Sequence, residues 1–312
     1  MKLSDLVTEY VSYKRALGLR FTTDARTLVR FGRRLGDVHV ESVTVDQVQA
    51  FLDGDNPVSS AWTRKRTTLV GLYRFALARG YASASVLPPF RPKLPPPLVP
   101  YIYSQAELKR LLDAAPKMCS RSMTLDGYVL RTLILLLYGA CLRHGEALRL
   151  TMKDVDLDQG VLCIRETKFY KSRLVPLGEH MSLALKQYVQ QRDLKFAREP
   201  DGPLFCRRDG RPLIQSAVQW IFRQLCILAT VRRQSDSRYQ PRLHDLRHTG
   251  AVHRLIAWYR DGADLQRLLP QLATYLGHIN LSATQHYLTL TPELLREASL
   301  RFESYAMEAH HE

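Results

Sequence analysis

The run Leu87-Pro-Pro-Phe-Arg-Pro-Lys-Leu-Pro-Pro-Pro-Leu-Val-Pro100 limits the fold more than any other feature of the chain. Proline has no amide donor and fixes φ, so a stretch this rich in it forms an extended, semi-rigid spacer instead of a helix or interior strand. The spacer predicts a chain divided into residues 1–87, a linker over 88–100, and residues 101–312. Both flanking segments are long enough to bury a core of their own. The 46% hydrophobic fraction argues against a mainly disordered chain.

Ahead of the spacer, apolar residues recur at helical spacing. Leu3, Leu6, Val7, Tyr10, Val11 and Leu17 mark one helix ended by Gly18, and Leu28, Phe31 and Leu35 mark a second. Val45, Val48 and Phe51 mark a short third that stops before Gly54. A fourth is predicted from about Ser60 to Ala78, with Leu69, Leu72, Tyr73 and Phe75 inward and Gly80 as the stop. It opens with Trp62-Thr-Arg-Lys-Arg-Thr-Thr68, where Arg64, Lys65 and Arg66 are candidates for phosphate or groove contacts. The competing reading is a plain solvated helix face.

Beyond the spacer the pattern is mixed. Ser104 and Glu107 form a capping box for a helix through Leu112, and Leu130 to Tyr138 reads as a buried helix ended by Gly139. Arg143 opens the next helical stretch, with Glu146 three residues on to pin its guanidinium. Val161–Glu166 and Ser172–Leu177 read as two short strands, with Lys168 at the tip of the hairpin between them. The predicted fold class is mainly α, an all-helical first domain followed by a mostly helical second domain with a small antiparallel β-sheet.

A formal net charge of +15 and a pI near 9.8 point to a polyanionic partner, nucleic acid or an anionic membrane. There is no apolar run of about 18 residues and no signal-peptide pattern, which favours a soluble protein without a membrane partner. Cys119, Cys141, Cys163, Cys206 and Cys226 contain no Cys-x-x-Cys pair, so neither disulfides nor a zinc site is expected and a reducing cytosol is the expected home. Cys141, two residues before Arg143, reads as a small buried apolar residue, with oxidation sensitivity as the alternative.

One set of side chains makes a coherent kit for cutting a phosphodiester: Arg143, Lys168, His244, Arg247, His278 and Tyr287. A tyrosine of pKa about 10 requires roughly 4 kcal/mol to become a phenolate at neutral pH, and nearby cations lower that cost. The leaving alkoxide is very basic and needs a proton, which a lysine can give. Arg143 and Arg247 would hold the non-bridging oxygens. His244 and Arg247, three apart, share a helix face; His248 is also near that face. His278 and Tyr287, nine apart, would lie on opposite sides of a continuous helix, so a break is required. Gly277 supplies a stop, and Ser282 with Gln285 offers a fresh capping box. His244 would help transfer protons and His278 would donate to the phosphate. Taken singly, each of these residues has an ordinary structural explanation.

As an ordered set with its local strings, Leu-Arg143-His-Gly-Glu-Ala-Leu, Lys168 ahead of Arg-Leu-Val-Pro-Leu, Leu-His244-Asp-Leu-Arg247-His-Thr, and Leu-Gly-His278 with Tyr287 nine later, the chain resembles the tyrosine recombinase (phage integrase) family. The resemblance covers about Tyr101 to Glu297 and is weaker before the spacer. It implies a clamp on duplex DNA built from a helical core-binding (SAM-like) domain and a catalytic domain. It also implies cleavage and rejoining of double-stranded DNA at a specific recombination site through a covalent 3′-phosphotyrosyl intermediate, in integration, excision, transposition or resolution of mobile DNA. Tyr287 would be the nucleophile, Arg143 and Arg247 the phosphate clamp, Lys168 the general acid, with His244 and His278 assisting. By the same resemblance no metal, nucleotide or other cofactor is expected. The active form would be a homotetramer on DNA, with room for accessory proteins, in the bacterial cytoplasm beside the nucleoid.

The chain begins directly with the helical segment, without the arm-binding module of lambda-type integrases, so two-domain Xer-like and transposon-borne recombinases are the nearer comparison. The stretch 254–275 looks long for the family and is expected to be interrupted at Pro270, and 116–128 also looks extended. Pro292 to Glu308 reads as a helix with Leu294, Leu295, Ala298 and Phe302 on one side, docking on a neighbouring subunit or folding back. A type IB topoisomerase and a catalytically silent DNA-binding factor are the alternatives to a recombinase.

Overall fold

The computed structural model describes residues 1–55, 58–89, 92–96, 98–118, 124–165, 172–233, 239–289 and 291–308, and divides the chain into two compact units, Met1–Leu98 and Val99–Glu312. Lys168 and Cys119 lie outside the described residues. Among those residues no helix is long and apolar enough to cross a membrane.

The first unit is four helices, α1 (Leu3–Ala16), α2 (Thr22–Leu35), α3 (Val45–Asp53) and α4 (Ser60–Ala78). Their apolar stripes meet in one core that includes Leu6, Leu28, Phe31, Phe51, Leu69, Leu72 and Tyr73. The α3 start is fixed by a reciprocal cap between Thr44 and Gln47. Its end is fixed by Lys65, whose Nζ donates to the Phe51 and Leu52 carbonyls at 2.8 and 3.1 Å. A cation at a helix C-terminus is favourably placed against unpaired carbonyls.

The second unit holds α5 (Gln105–Ala114), α6 (Gly127–Gly139), α7 (His144–Ala147), β1 (Val155–Asp156), β2 (Val161–Ile164), β3 (Arg173–Pro176), α8 (Glu179–Asp193), α9 (Gln215–Leu228), α10 (Asp245–Arg260), α11 (Leu265–Leu276), α12 (Ser282–Gln285) and α13 (Pro292–Glu308). The mainly helical fold with a small antiparallel sheet is as expected. The sheet runs β1-β2-β3, with Leu162 opposite Val175 and Ile164 opposite Arg173; β1 was not anticipated. The Ser104–Glu107 capping box of α5 is formed.

A large core gathers Leu133, Leu136, Leu137, Phe205, Phe222 and Leu246. A second, separate cluster joins Cys141, Val252, Leu255, Leu276, Tyr287 and Leu294. At Gly250 the α10 backbone meets the end of α6 so closely that a Cβ there would stand 2.2 Å from the Tyr138 carbonyl oxygen and 2.6 Å from Cys141 Sγ.

Gly139 ends α6 as expected, and the left-handed residue that follows is Cys141, at φ +49°. Two local expectations are corrected. Pro270 does not interrupt its segment but lies inside α11, on an exposed position where water can donate to the Gln266 carbonyl in place of the N–H that proline lacks. Ser282 does not cap a helix but is the first residue of α12; the Asn280 side chain accepts from Ala283 N at 3.4 Å, and Tyr287 rides on the 3-10 turn His286–Thr289 that follows. On α13, Leu294 is buried while Leu295 is 51% exposed. The helix packs on α10 of its own chain, with Arg260 pairing to Glu293 and Glu297 and Arg301 donating to the Ala263 carbonyl.

Candidate active site

The last turn of α11 organises the site. Helix C-termini leave carbonyls without intrahelical donors, and here three successive ones each take a guanidinium. Tyr275 O accepts from Arg173 Nε at 3.1 Å, Leu276 O from Arg247 Nη2 at 2.7 Å, and Gly277 O from Arg143 Nη2 at 2.8 Å. Gly277 itself is left-handed, φ +68°, which turns the chain out of the helix and lets His278 N bond back to Ala273 O. A Cβ on Gly277 would lie 2.8 Å from Arg173 Nη1.

Glu146 ties two of these cations together. Its carboxylate accepts from Arg143 Nη1 at 2.8 Å, from the Arg143 amide at 3.0 Å, and from both Nη atoms of Arg173. Burial alone would raise its pKa, but Arg173 and Arg143 hold it at about 2. Arg143 thus stands at the mouth of α7 with about a third of its side chain exposed. Arg247 is almost wholly buried, and its Nη1 donates to Cys141 O at 2.6 Å. The left-handed turn at Cys141 presents that carbonyl. Cys141 itself is a buried residue whose thiol is pushed up to about 11 by desolvation, in keeping with the small apolar reading.

His278 has both ring nitrogens engaged, Nε2 with Arg247 Nη2 at 3.2 Å and Nδ1 with Thr284 Oγ1 at 2.7 Å. Because a guanidinium can only donate, Nε2 accepts and the ring proton sits on Nδ1. Desolvation, then the charges of Arg247, Arg143 and Arg173, hold the imidazole pKa down at about 4. In this arrangement it can donate to a phosphate only after gaining a proton or exchanging the Arg247 contact.

Tyr287 is buried, its ring stacked 6.0 Å from that of His278. Burial raises its pKa, and the charge of Arg247, which also hydrogen-bonds the phenol, works in the opposite direction. The phenol therefore reaches at least one of the two expected guanidiniums. Its hydroxyl lies 3.2 Å from Nδ1 of His248.

His244 stands at the N-cap of α10, its ring 4.9 Å from that of His248 and 5.7 Å from that of His144. Desolvation brings its pKa down to about 3, so the ring is neutral. His144 in turn meets the Gln215 amide at 2.6 Å.

The model of the phage integrase family, so described, matches residues 102–293. The chain belongs to the phage integrase family. Its integrase-family relatives include a Sinorhizobium fredii protein named integrase/recombinase y4rB, 36% identical over 95% of this chain and 96% of that one, and tyrosine recombinase XerC of Oceanobacillus iheyensis, 29% identical over 90% and 88%. Among solved structures, the Tn1549 transposon integrase in complex with transposon right end DNA covers 98% of this chain and 100% of its own at TM-score 0.69 and 17% identity. XerH bound to a palindromic difH substrate in a post-cleavage complex covers 96% and 85% at TM-score 0.63 and 22% identity. These two likenesses show the integrase fold.

Of the six residues expected at the site, the fold brings Arg143, Arg247, His278 and Tyr287 together, sets His244 beside them through His248, and leaves Lys168 outside the described residues. Sequence reasoning overlooked Arg173, although it stands in the same Arg-Leu-Val-Pro string that marks Lys168. His248, directly after Arg247, stands against the Tyr287 hydroxyl. In the first unit Arg64 is exposed and Arg66 half-buried, whereas the Lys65 ammonium is taken up by α3.

Proposed function

We propose that the protein is a site-specific recombinase that cuts and rejoins double-stranded DNA, with Tyr287 forming a covalent 3′-phosphotyrosyl bond. The observation that carries this reading is the meeting of a buried phenol with Arg247 and two imidazoles, on a framework that holds Arg143 at the rim. Phenolate attack on phosphorus would place negative charge where Arg143 and Arg247 supply fixed donors. Lys168 would protonate the departing 5′ oxygen, since neither buried histidine of depressed pKa holds a proton at neutral pH. A phosphotyrosyl bond keeps the energy of the broken phosphodiester, so rejoining needs no nucleotide, and the chemistry calls for no metal.

In this reading residues 1–87 form a core DNA-binding domain joined through the 88–100 linker to a catalytic domain over 101–312. The protein works as a homotetramer on DNA, with accessory proteins where the site requires them, in the bacterial cytoplasm. The relatives named above as integrase/recombinase and tyrosine recombinase support site-specific exchange over general relaxation.

The test is incubation of the protein with nicked duplexes tiled across the DNA flanking its gene. A covalent adduct formed by the native protein at a defined sequence, and lost in Tyr287→Phe, is expected. Relaxation of arbitrary plasmid would favour a topoisomerase, and retarded mobility without adduct would favour a silent binder.

A further inference from the structure

We propose that His248 is the base that takes the Tyr287 proton, a step that rests on the cleavage reading above. Among the described residues, the groups around the phenol can be sorted by whether they have a lone pair to offer. Arg247 and Arg143 can only donate. His278 spends Nε2 on Arg247 and Nδ1 on Thr284. Glu146 is saturated by Arg143 and Arg173. His244 lies beyond His248, ring to ring at 4.9 Å. Nδ1 of His248, 3.2 Å from the phenol oxygen, is the ring nitrogen in hydrogen-bond reach of the reacting atom.

The Tyr287 O–H bond breaks and its proton forms a bond to Nδ1, making His248 an imidazolium with its original proton on Nε2. The phenolate oxygen bonds to phosphorus as the bond from phosphorus to the 5′ oxygen breaks, and that oxygen takes a proton from Lys168. In rejoining, the 5′ hydroxyl returns its proton to Lys168 and attacks phosphorus, and the departing phenolate recovers its proton from His248. Placing the base on the residue after Arg247 couples it to the phosphate clamp: α10 positions both. The titratable and charged groups facing this imidazole include His244 one turn back on α10, Arg247 directly before it in the chain, and Tyr287 of the 3-10 turn, whose ring also stacks on His278.

Two measurements test this. The first is the single-turnover rate of adduct formation on a nicked duplex for the native protein, His248→Ala and His248→Asn. Asparagine can still bond the hydroxyl but cannot carry the proton away. Both variants are expected to slow about 100-fold at pH 7, the span typical of a positioned base, with recovery towards pH 9, and added imidazole is expected to rescue His248→Ala. A native rate in His248→Asn, or a loss that neither base nor imidazole repairs, overturns the proposal. The second measurement needs no DNA. In nitrogen-15 histidine spectra of the free protein, Tyr287→Phe is expected to shift the Nδ1 resonance of His248, and an unmoved resonance overturns the proposal. If the native protein forms no adduct on any duplex while that resonance moves, the cleavage reading fails and the contact stands.

Discussion

Arg173 grips Glu146 with both terminal nitrogens, at 3.1 and 2.8 Å, across 27 residues of sequence. Glu146 also holds Arg143, so Arg173 steadies the guanidinium proposed to bind the phosphate. Removing one member of a buried ion pair leaves the other charge uncompensated, at a cost of about 3 kcal/mol. Arg173→Ala is therefore expected to lower the unfolding free energy by about that much in urea titration and to slow DNA cleavage at least tenfold. Arg173→Lys, which keeps the charge but loses the fork, is expected to fall between the two.

Gly250→Ala should harm activity from a position that touches no reacting group. Its Cβ would collide with the backbone oxygen of Tyr138, which cannot swing aside as a side chain would. Overpacking of this kind costs about 1–3 kcal/mol, and the shift of α10 away from α6 would carry His244, Arg247 and His248 with it. Thermal melting and the adduct assay together check both effects; a variant as stable and active as the parent contradicts the close approach.

Lys65 and Arg64 should separate cleanly. Lys65→Ala loses the cap on α3 and is expected to cost about 1 kcal/mol of stability, with little change in DNA affinity. Arg64→Ala, at an exposed position, is expected to leave stability unchanged and to weaken DNA binding and its salt dependence. The opposite pattern in melts and salt-titrated binding would reverse the two roles.

Acid should unfold the protein earlier than its carboxylates alone require. His244 and His278 have folded pKa values of about 3 and about 4, below the ordinary histidine value of 6.5. The unfolded chain thus binds their protons first, and stability falls as the pH drops from 6.5 towards 4, by up to about 1.4 kcal/mol per pH unit for each ring. Glu146 has its pKa lowered to about 2, so its contribution is full above the ordinary carboxylate range, declines as the pH drops below 4.5 and is gone once the pH has fallen through 2. Urea midpoints measured from pH 7 to pH 4 should decline steadily, and replacing His244 by Gln should flatten part of that slope.

The helices of the first unit were legible because their signals are local. Apolar spacing and the glycine stops at Gly18, Gly54 and Gly80 place α1 to α4 within a few residues, and α4 runs over Ser60–Ala78 as read. That His244 and Arg247 share α10, and that the chain breaks between His278 and Tyr287, was legible for a different reason, since a spacing of three and a stop at Gly277 can be read along the chain. What escaped reading depends on pairing between distant elements. Strand β1 is two residues long and exists through β2. Arg173 acquires its part only when β3 lies against α7 and α11, and the left-handed turn at Cys141, whose carbonyl accepts from Arg247, has no glycine to mark it in the chain.

The three arginine bonds at the end of α11 bind His278 and the cationic cradle into a single block, whereas the Tyr287 phenol comes later in the chain, past Gly277, on the turn between α12 and α13. Breaking the Arg260 pairs to Glu293 and Glu297 would therefore loosen the helix beside the phenol and leave the arginine anchorage at α11 whole.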